Sequence, residues 1–349
     1  MMTQRSDRSG AGADVRRSHI PVLLPQVLEA LAPVQGSTFI DGTFGAGGYT
    51  RALLEGGAAR VLAIDRDPSA IAAGRALTEV YGARLVLAGG EFDQLDELAR
   101  AHGLDAVDGV VLDVGVSSMQ LDQAGRGFSF QADGPLDMRM SDSGETAADV
   151  VNTRSEEELA DIFYHLGDER RSRGIARAIG RAREAAPIAT TAELAEIVVR
   201  VLGRRPGDDH HPATRTFQAL RIYVNDELKQ LGRALQAAER ILKPSGRLVV
   251  VSFHSLEDRI VKRFLVARGG KAASGSRHLP AQSIKSREPS YRIINQRPLT
   301  PSQEEITANP RARSARLRAA ERTQAPAWPP EDLQVLGVPE PEAPRRRTR

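Results

Sequence analysis

The sequence predicts a doubly wound α/β fold whose mostly parallel sheet is interrupted by a small inserted helical domain. Three observations carry that reading. A short β-prone run, Thr38 to Ile40, ends at Asp41 and opens into Gly42-Thr-Phe-Gly-Ala-Gly-Gly48, in which glycine supplies four of seven residues. Apolar runs then alternate with helical periodicity as far as Asp113, as parallel strands with crossover helices require. After that the alternation stops, and three amphipathic helices follow with no strand between them before the strand pattern resumes.

Taken in order, residues 1–17 are rich in Gly, Ser and Arg and are expected to be disordered. Pro25 sits in the first turn of a helix whose Val27, Leu28 and Leu31 share one face. The glycine loop leads to a helix from Tyr49 to Leu54, closed by Gly56-Gly57. Arg60 to Ile64 is a second strand, with Asp65 at its end, and Asp67-Pro68 starts a helix to about Tyr81. Arg84 to Leu87 is a third strand, followed by Gly89-Gly90-Glu91-Phe92 and a helix that stops at Gly103. Val107 to Leu112 is a fourth, near-continuously apolar strand, and Asp113 ends it.

Gln120 to Met140 reads as a long loop, and loops of that length usually carry function. Ser155-x-x-Glu158 and Thr190-x-x-Glu193 are capping boxes that open two of the three inserted helices. Leu159, Ile162, Phe163 and Leu166 fall at i, i+3, i+4 and i+7, and Ile175, Ala178, Ile179 and Ala182 repeat the spacing. A single long helix is expected from Thr214 to Leu242, and Arg247 to Phe253 is a fifth strand ending at His254-Ser255. Gly269 to Ser290 reads as a mobile segment, Tyr291 to Gln296 as a possible last strand, and Asn309 onward as an Arg-rich, then Pro-rich tail. The implied division is 18–140 with 208–318 for the cofactor-binding domain, 141–207 for the inserted helical domain, and 319–349 for a flexible tail.

The glycine loop selects among cofactors. It does not meet G-x-G-x-x-G, since Thr50 stands five after Gly45, and no Lys follows it as a phosphate loop requires. Asp41 would repel a pyrophosphate but suits a cation. Asp65 lies about 20 residues past the loop, where a carboxylate usually meets ribose hydroxyls. S-adenosylmethionine (SAM), with a sulfonium and an ammonium and no phosphate, is favoured over NAD on charge.

Composition bounds the rest. The 349 residues are 41% hydrophobic and 27% charged, with no apolar run long enough to span a bilayer and no secretory leader, so a cytoplasmic protein is expected. The absence of Cys excludes disulfides, thiolate metal sites and a cysteine nucleophile. Cytosine C5 methylation, which needs such a nucleophile, is excluded with them. His210-His211 lacks the companions of a metal site, and no metal is proposed. Arg170, Arg171, Arg173, Arg177, Arg181 and Arg183 form a basic cluster suited to a polyanion or simply to a solvated helix face. Asp41, Asp65, Asp113 and His254 all fall at C-terminal strand ends, where one crevice can gather them. Each also has a plainer role, the carboxylates as helix caps and His254 as a hydrogen-bonded structural residue. Phe128 and Phe130 suit base stacking or core packing alike.

Several longer motifs go further. Asp41-Gly-Thr-Phe-Gly-Ala-Gly-Gly48, Ala63-Ile-Asp-Arg-Asp-Pro68, Asp113-Val-Gly-Val-Ser-Ser118 and Arg126-Gly-Phe-Ser-Phe130 are four of them. Pro135-Leu-Asp-Met-Arg-Met140, Thr216-Phe-Gln-Ala-Leu-Arg-Ile222, Ser252-Phe-His-Ser-Leu-Glu-Asp-Arg259 and Asn309-Pro-Arg-Ala-Arg-Ser-Ala315 follow. From about His19 to Arg318 the chain resembles the bacterial 16S ribosomal RNA cytosine-N4 methyltransferase family, called RsmH or MraW. The resemblance implies a SAM-dependent methyltransferase fold and methylation of a decoding-centre cytidine, cytidine 1402, in the small ribosomal subunit. It implies that Gly47, Gly48, Tyr49, Asp65, Phe92, Asp113 and Gln120 contact SAM. Asp113 is the candidate catalytic residue, from its position and not from a motif. Two departures are visible: Tyr49 stands where the family commonly has His, and Met119 where it usually has Pro. An adenine-N6 methyltransferase on another RNA, or a SAM-sensing assembly factor without catalysis, stays open as an alternative.

Overall fold

The structure, a computed structural model, describes residues 21–204, 211–270 and 287–341. The expected disordered start at 1–17, His210 and most of the expected mobile stretch from Gly269 to Ser290 lie outside the described residues. A seven-stranded sheet forms the centre. Its first half is built from α1 (Leu24–Leu31), β1 (Thr38–Asp41), α2 (Gly48–Glu55), β2 (Arg60–Asp65), α3 (Pro68–Tyr81), β3 (Leu85–Gly89), α4 (Leu95–Ala101) and β4 (Val107–Asp113). Then come α5 (Ser118–Asp122), α6 (Ala147–Thr153), α7 (Glu156–Gly167), α8 (Ser172–Ala185) and α9 (Thr191–Leu202). The chain closes with α10 (Thr214–Asn225), α11 (Glu227–Ile241), β5 (Leu242–Ser252), α12 (Ser255–Arg268), β6 (Tyr291–Ile293), α13 (Gln303–Ala308) and β7 (Arg316–Arg322).

The strand order is β3-β2-β1-β4-β5-β7-β6, with the first five strands parallel and β7 antiparallel to both β5 and β6. The order reverses between β1 and β4. That switch point leaves a crevice beyond the strand ends. Strand alternation distributes the core over both faces. Ile40, Leu62, Ile64, Val110 and Leu112 face one cluster, and Phe39, Val61, Ala63 and Val111 face the other.

Both predicted capping boxes form, Ser155 with Glu158 and Thr190 with Glu193. A fourth helix, α6, precedes the three expected ones, opened by a Thr146–Asp149 box. The apolar faces of α6 to α9 do not close on themselves: Leu159, Phe163, Ile179 and Val198 join the same core as Leu220 and Leu231. Gly167 lets α7 run against α10, because a Cβ there would lie 2.5 Å from the Arg215 carbonyl oxygen. The helical segment is therefore packed into the sheet's own core.

Three expectations are corrected. The long helix from Thr214 to Leu242 is two helices, broken at Asp226, which adopts φ 52°. The long loop opens with α5, capped by a Ser117–Gln120 box. The expected tail is ordered well beyond Asn309: β7 fills the place between β5 and β6, and Leu336 and Val338 are buried. Arginine composition hid this strand, since Arg318 is buried in a two-bond pair with Asp258 and Arg322 donates to the Ser290 and Ala325 carbonyls. The segment after β7 is anchored by Arg268, fully buried between the rings of Phe264 and Trp328 and paired with Glu239 and Glu331. Among the described residues no helix is long and apolar enough to cross a membrane.

Candidate functional site

A cleft of about 850 Å³ opens at the switch point. The loop after β1 forms one wall. Gly45 and Gly47 take φ 52° and 75°, which favours glycine. The Gly47 N–H donates to Phe44 O at 2.7 Å, and Phe44 N–H reaches back to Ile64 O at 2.9 Å. The glycines serve different ends. A Cβ on Gly48 would lie 2.2 Å from Pro21, and one on Gly47 would lie 2.8 Å from Leu77 and Phe44, so packing demands both. At Gly45 the nearest atom would be 3.9 Å away, and this glycine faces the cleft.

The strand-end residues separate into three environments. Asp65 lines the cleft, and its carboxylate accepts from Gly45 N–H at 2.7 Å and Asp67 N–H at 2.8 Å. Burial raises its pKa, and those two bonds oppose the rise. Asp113 also lines the cleft, but its Oδ1 is buried with no hydrogen-bond partner among the described residues. Its backbone N–H donates to Thr43 Oγ1 at 2.7 Å. Burial, with Asp41 and Glu257 adding repulsion, pushes the Asp113 carboxyl up to about 8. Asp41 does not reach the cleft. It lies fully buried behind the loop, accepting from Thr43 N–H and Thr50 Oγ1–H, and burial pushes it to about 6.

The single crevice expected for all four strand-end groups is thus corrected: Asp65 and Asp113 share it, Asp41 supports it, and His254 lines the neighbouring cavity. His254 caps α12, with Glu257 N–H pointing at its Nδ1 and Glu257 Oε1 2.9 Å from its Nε2. Glu257 also accepts from the Phe253 and His254 N–H groups. Burial would raise the Glu257 pKa, but His254, Arg221 and those bonds hold it below the usual range.

The other predicted contacts fall as follows. Gly48, Tyr49, Phe92 and Gln120 line the cleft, whereas Gly47 sits one step behind it. Tyr49 is buried and its hydroxyl donates to the Val22 carbonyl, so its ring belongs to the protein's packing. Gln120 spends both ends of its amide, accepting from Ser117 N–H at 3.0 Å and donating to Asp67 Oδ2 at 2.9 Å. Asp67 receives Arg126 on the same oxygen at 2.9 Å; burial works against these bonds, yet its pKa is lowered. Phe128 is buried, and Phe130 stacks on His211 at 4.4 Å and meets Phe217 edge-on, so both rings pack within the protein. Among the described residues no group of three His, Asp or Glu is placed to hold a metal.

Sequence reasoning missed a second wall contributed by the two helices after the insertion. Arg66 donates to Asn225 O and Gln230 Oε1, each at 3.1 Å, and to Asn225 Oδ1. Asn225 in turn binds the backbone of Met138 and Met140, tying the long loop to the sheet. Arg221 and Glu227 form a buried two-bond pair, both at 2.8 Å. Arg311, paired with Asp122, stands at the rim. Arg66, Arg221 and Arg311 stand within the quoted motifs and Asn225, Glu227 and Gln230 outside them, but nothing local in the sequence aimed any of them at the cleft.

The sheet order, the glycine turn after β1 and the two cleft carboxylates define a Rossmann-like methyltransferase. The chain belongs to the MraW methylase family, whose profile matches residues 16–323. A protein of Methylobacterium nodulans named ribosomal RNA small subunit methyltransferase H is 62% identical over 322 residues, 92% of this chain and 94% of that one. Proteins of the same name from Bradyrhizobium diazoefficiens and Xanthobacter autotrophicus are 59% and 57% identical, covering 88% and 97% of this chain and 93% and 96% of their own. A solved rRNA methylase from Streptococcus thermophilus shares 12% identity at a TM-score of 0.38, over 85% of this chain and 93% of that one, too loose a likeness to compare sites.

Proposed function

We propose that this protein transfers a methyl group from SAM to the exocyclic N4 amine of a cytidine in the 16S rRNA of the small ribosomal subunit. The observation that carries the reading is Asp113 Oδ1, a buried acceptor at the edge of the cleft without a partner among the described residues. A buried carboxyl left unpaired is costly unless something completes it, and a cation beside it does so. SAM, when bound, supplies a methyl group on a positively charged sulfur; the C–S bond breaks as the N–C bond forms, and sulfur keeps the electron pair. The cleft residues fit such a ligand: the glycine turn presents backbone, Arg66, Arg221 and Arg311, the basic residues lining the cleft among those described, are each engaged, and Asp65 and Asp113 offer carboxylates.

The protein's own part is positioning and charge. Gly47, Gly48 and Tyr49 shape the loop, Asp65 and Phe92 hold the nucleoside end, and Gln120 fixes the α5 turn through Asp67 and Ser117. Cytosine N4 is a weak nucleophile because its lone pair is spread into the ring. It becomes cationic on attack, so an acceptor must take its proton. Asp113 is proposed for that task, ionised by the adjacent cation. The inserted helical segment is proposed to read the RNA through the end of α7 and the turn that follows it.

The test is incubation of the protein with labelled SAM and either naked 16S RNA or small subunits, followed by mass analysis of the nucleosides. N4-methylcytidine is expected. N6-methyladenosine would move the activity to adenine, and an unchanged nucleoside pool would leave only a SAM-binding factor.

A further inference from the structure

Two further cavities adjoin the cleft, and residues shared between neighbours make a path of the three. The middle cavity shares Phe253 and Ser314 with the cleft, and the outer one shares Arg215 with the middle one. Along this path stand Arg170, Arg215, Arg259 and Arg313, all exposed, and none with an acidic partner among the described residues. Arg215 donates only to the backbone carbonyl of Asp168, at 3.1 Å. The acids on the path are Asp168, which accepts from Ser255 Oγ at 3.3 Å, and Glu169, buried and accepting from Arg171 N–H. The arginine cluster on α8 differs. Its residues line none of the three cavities, and Arg183 is spent on the carbonyls of Val151 and Arg154.

We propose that this path holds the single-stranded RNA on one side of the target cytidine, with Arg313 and Arg215 on successive phosphates and Phe253 as the stacking platform where the strand turns into the cleft. This rests on the methyltransferase reading above and adds the route by which substrate arrives. Unpaired exposed arginines bind phosphates through counterion release. Phe253 is part-exposed at the junction, and a base stacks on an aromatic face whatever its identity. Tyr164, 54% exposed at the outer cavity, offers a second such face.

The test uses small subunits from a strain lacking this activity, with R215Q/R313Q, R177Q/R181Q and wild type compared for KM and its salt dependence. The path predicts at least about a tenfold rise in KM for R215Q/R313Q and a loss of roughly 1.4 from the log–log salt slope, at ~0.7 per phosphate. SAM affinity should stay within about twofold, which checks that the fold is intact, and the Arg→Lys pair should recover most of the loss. F253L should slow single turnover about tenfold at saturating SAM, with F253W restoring it. Unchanged KM and slope in R215Q/R313Q, or the loss appearing in R177Q/R181Q instead, would overturn the path while leaving the methyltransferase reading standing. A wild-type protein that methylates no subunit RNA would instead be the failure of that reading.

Discussion

The ends of β2 and β4 open on the same cleft with the same residue type, yet the fold treats them oppositely. Asp65 is supplied with two backbone N–H donors. Asp113 Oδ1 has none among the described residues, and two other carboxylates raise its pKa further. A carboxylate braced on both oxygens has a fixed direction, which suits holding a ligand. One left without a donor has a charge that depends on what arrives beside it, which suits chemistry.

The sharpest way to break this contrast is Asp113→Asn. The change keeps the shape but removes the negative charge, and the single-turnover rate at saturating SAM should fall by about 10²–10⁴, the range of a positioned base. A near wild-type rate would make Asp113 a second holding group and erase the distinction. Asp65→Ala should act on affinity instead. Charged hydrogen bonds of roughly 1.5–3 kcal/mol each imply at least about a tenfold weaker SAM by calorimetry. Its rate at saturating SAM should recover to within a few-fold.

The pH response separates the two ends next. An Asp113 pKa of about 8 means the carboxyl holds a proton at neutral pH until a cation joins it, so SAM binding should release up to one proton. Affinity should then rise with pH by at most about tenfold per unit and level off above 8, while Asp113→Asn stays flat. The same pKa has a stability sign. Raised in the folded state above the ordinary 3.8, the carboxyl costs stability increasingly as pH climbs from about 4 to 8, and acidification restores it. Affinity independent of pH between 6.5 and 8.5 would mean that the carboxylate is already ionised. The smallest effect is expected of Tyr49→His. It loses the bond to Val22, about 1 kcal/mol of stability read by thermal melting, and leaves SAM affinity within about twofold.

Much of this site was legible because buried parallel strands announce themselves. Val107 to Leu112 is near-continuously apolar, so a carboxylate immediately after it must lie at the sheet's edge. The capping boxes were legible because their bonds are local. What could not be read was everything that depends on a distant partner. Asp41 and Asp113 look alike in sequence, and only Thr43 and Thr50, folding back, put one behind the loop and leave the other facing the cleft. The break at Asp226 carries no glycine or proline, and the buried Asn225 before it is engaged with residues 85 and 87 positions away. The strand at Arg316–Arg322 reads as a solvated basic run until Asp258 is brought against Arg318.

The place of β7 also bears on the order in which the protein is made. The five parallel strands are all synthesised by Ser252, but their outer edge, Leu248 to Val251, finds its partner only in Leu317 to Ala320. Until then a nascent chain carries an apolar strand with open hydrogen-bonding groups, the kind of edge that recruits other chains. A chain truncated before Arg316 would therefore carry every residue that lines the cleft together with an open apolar strand edge, and a loss of solubility is its expected outcome.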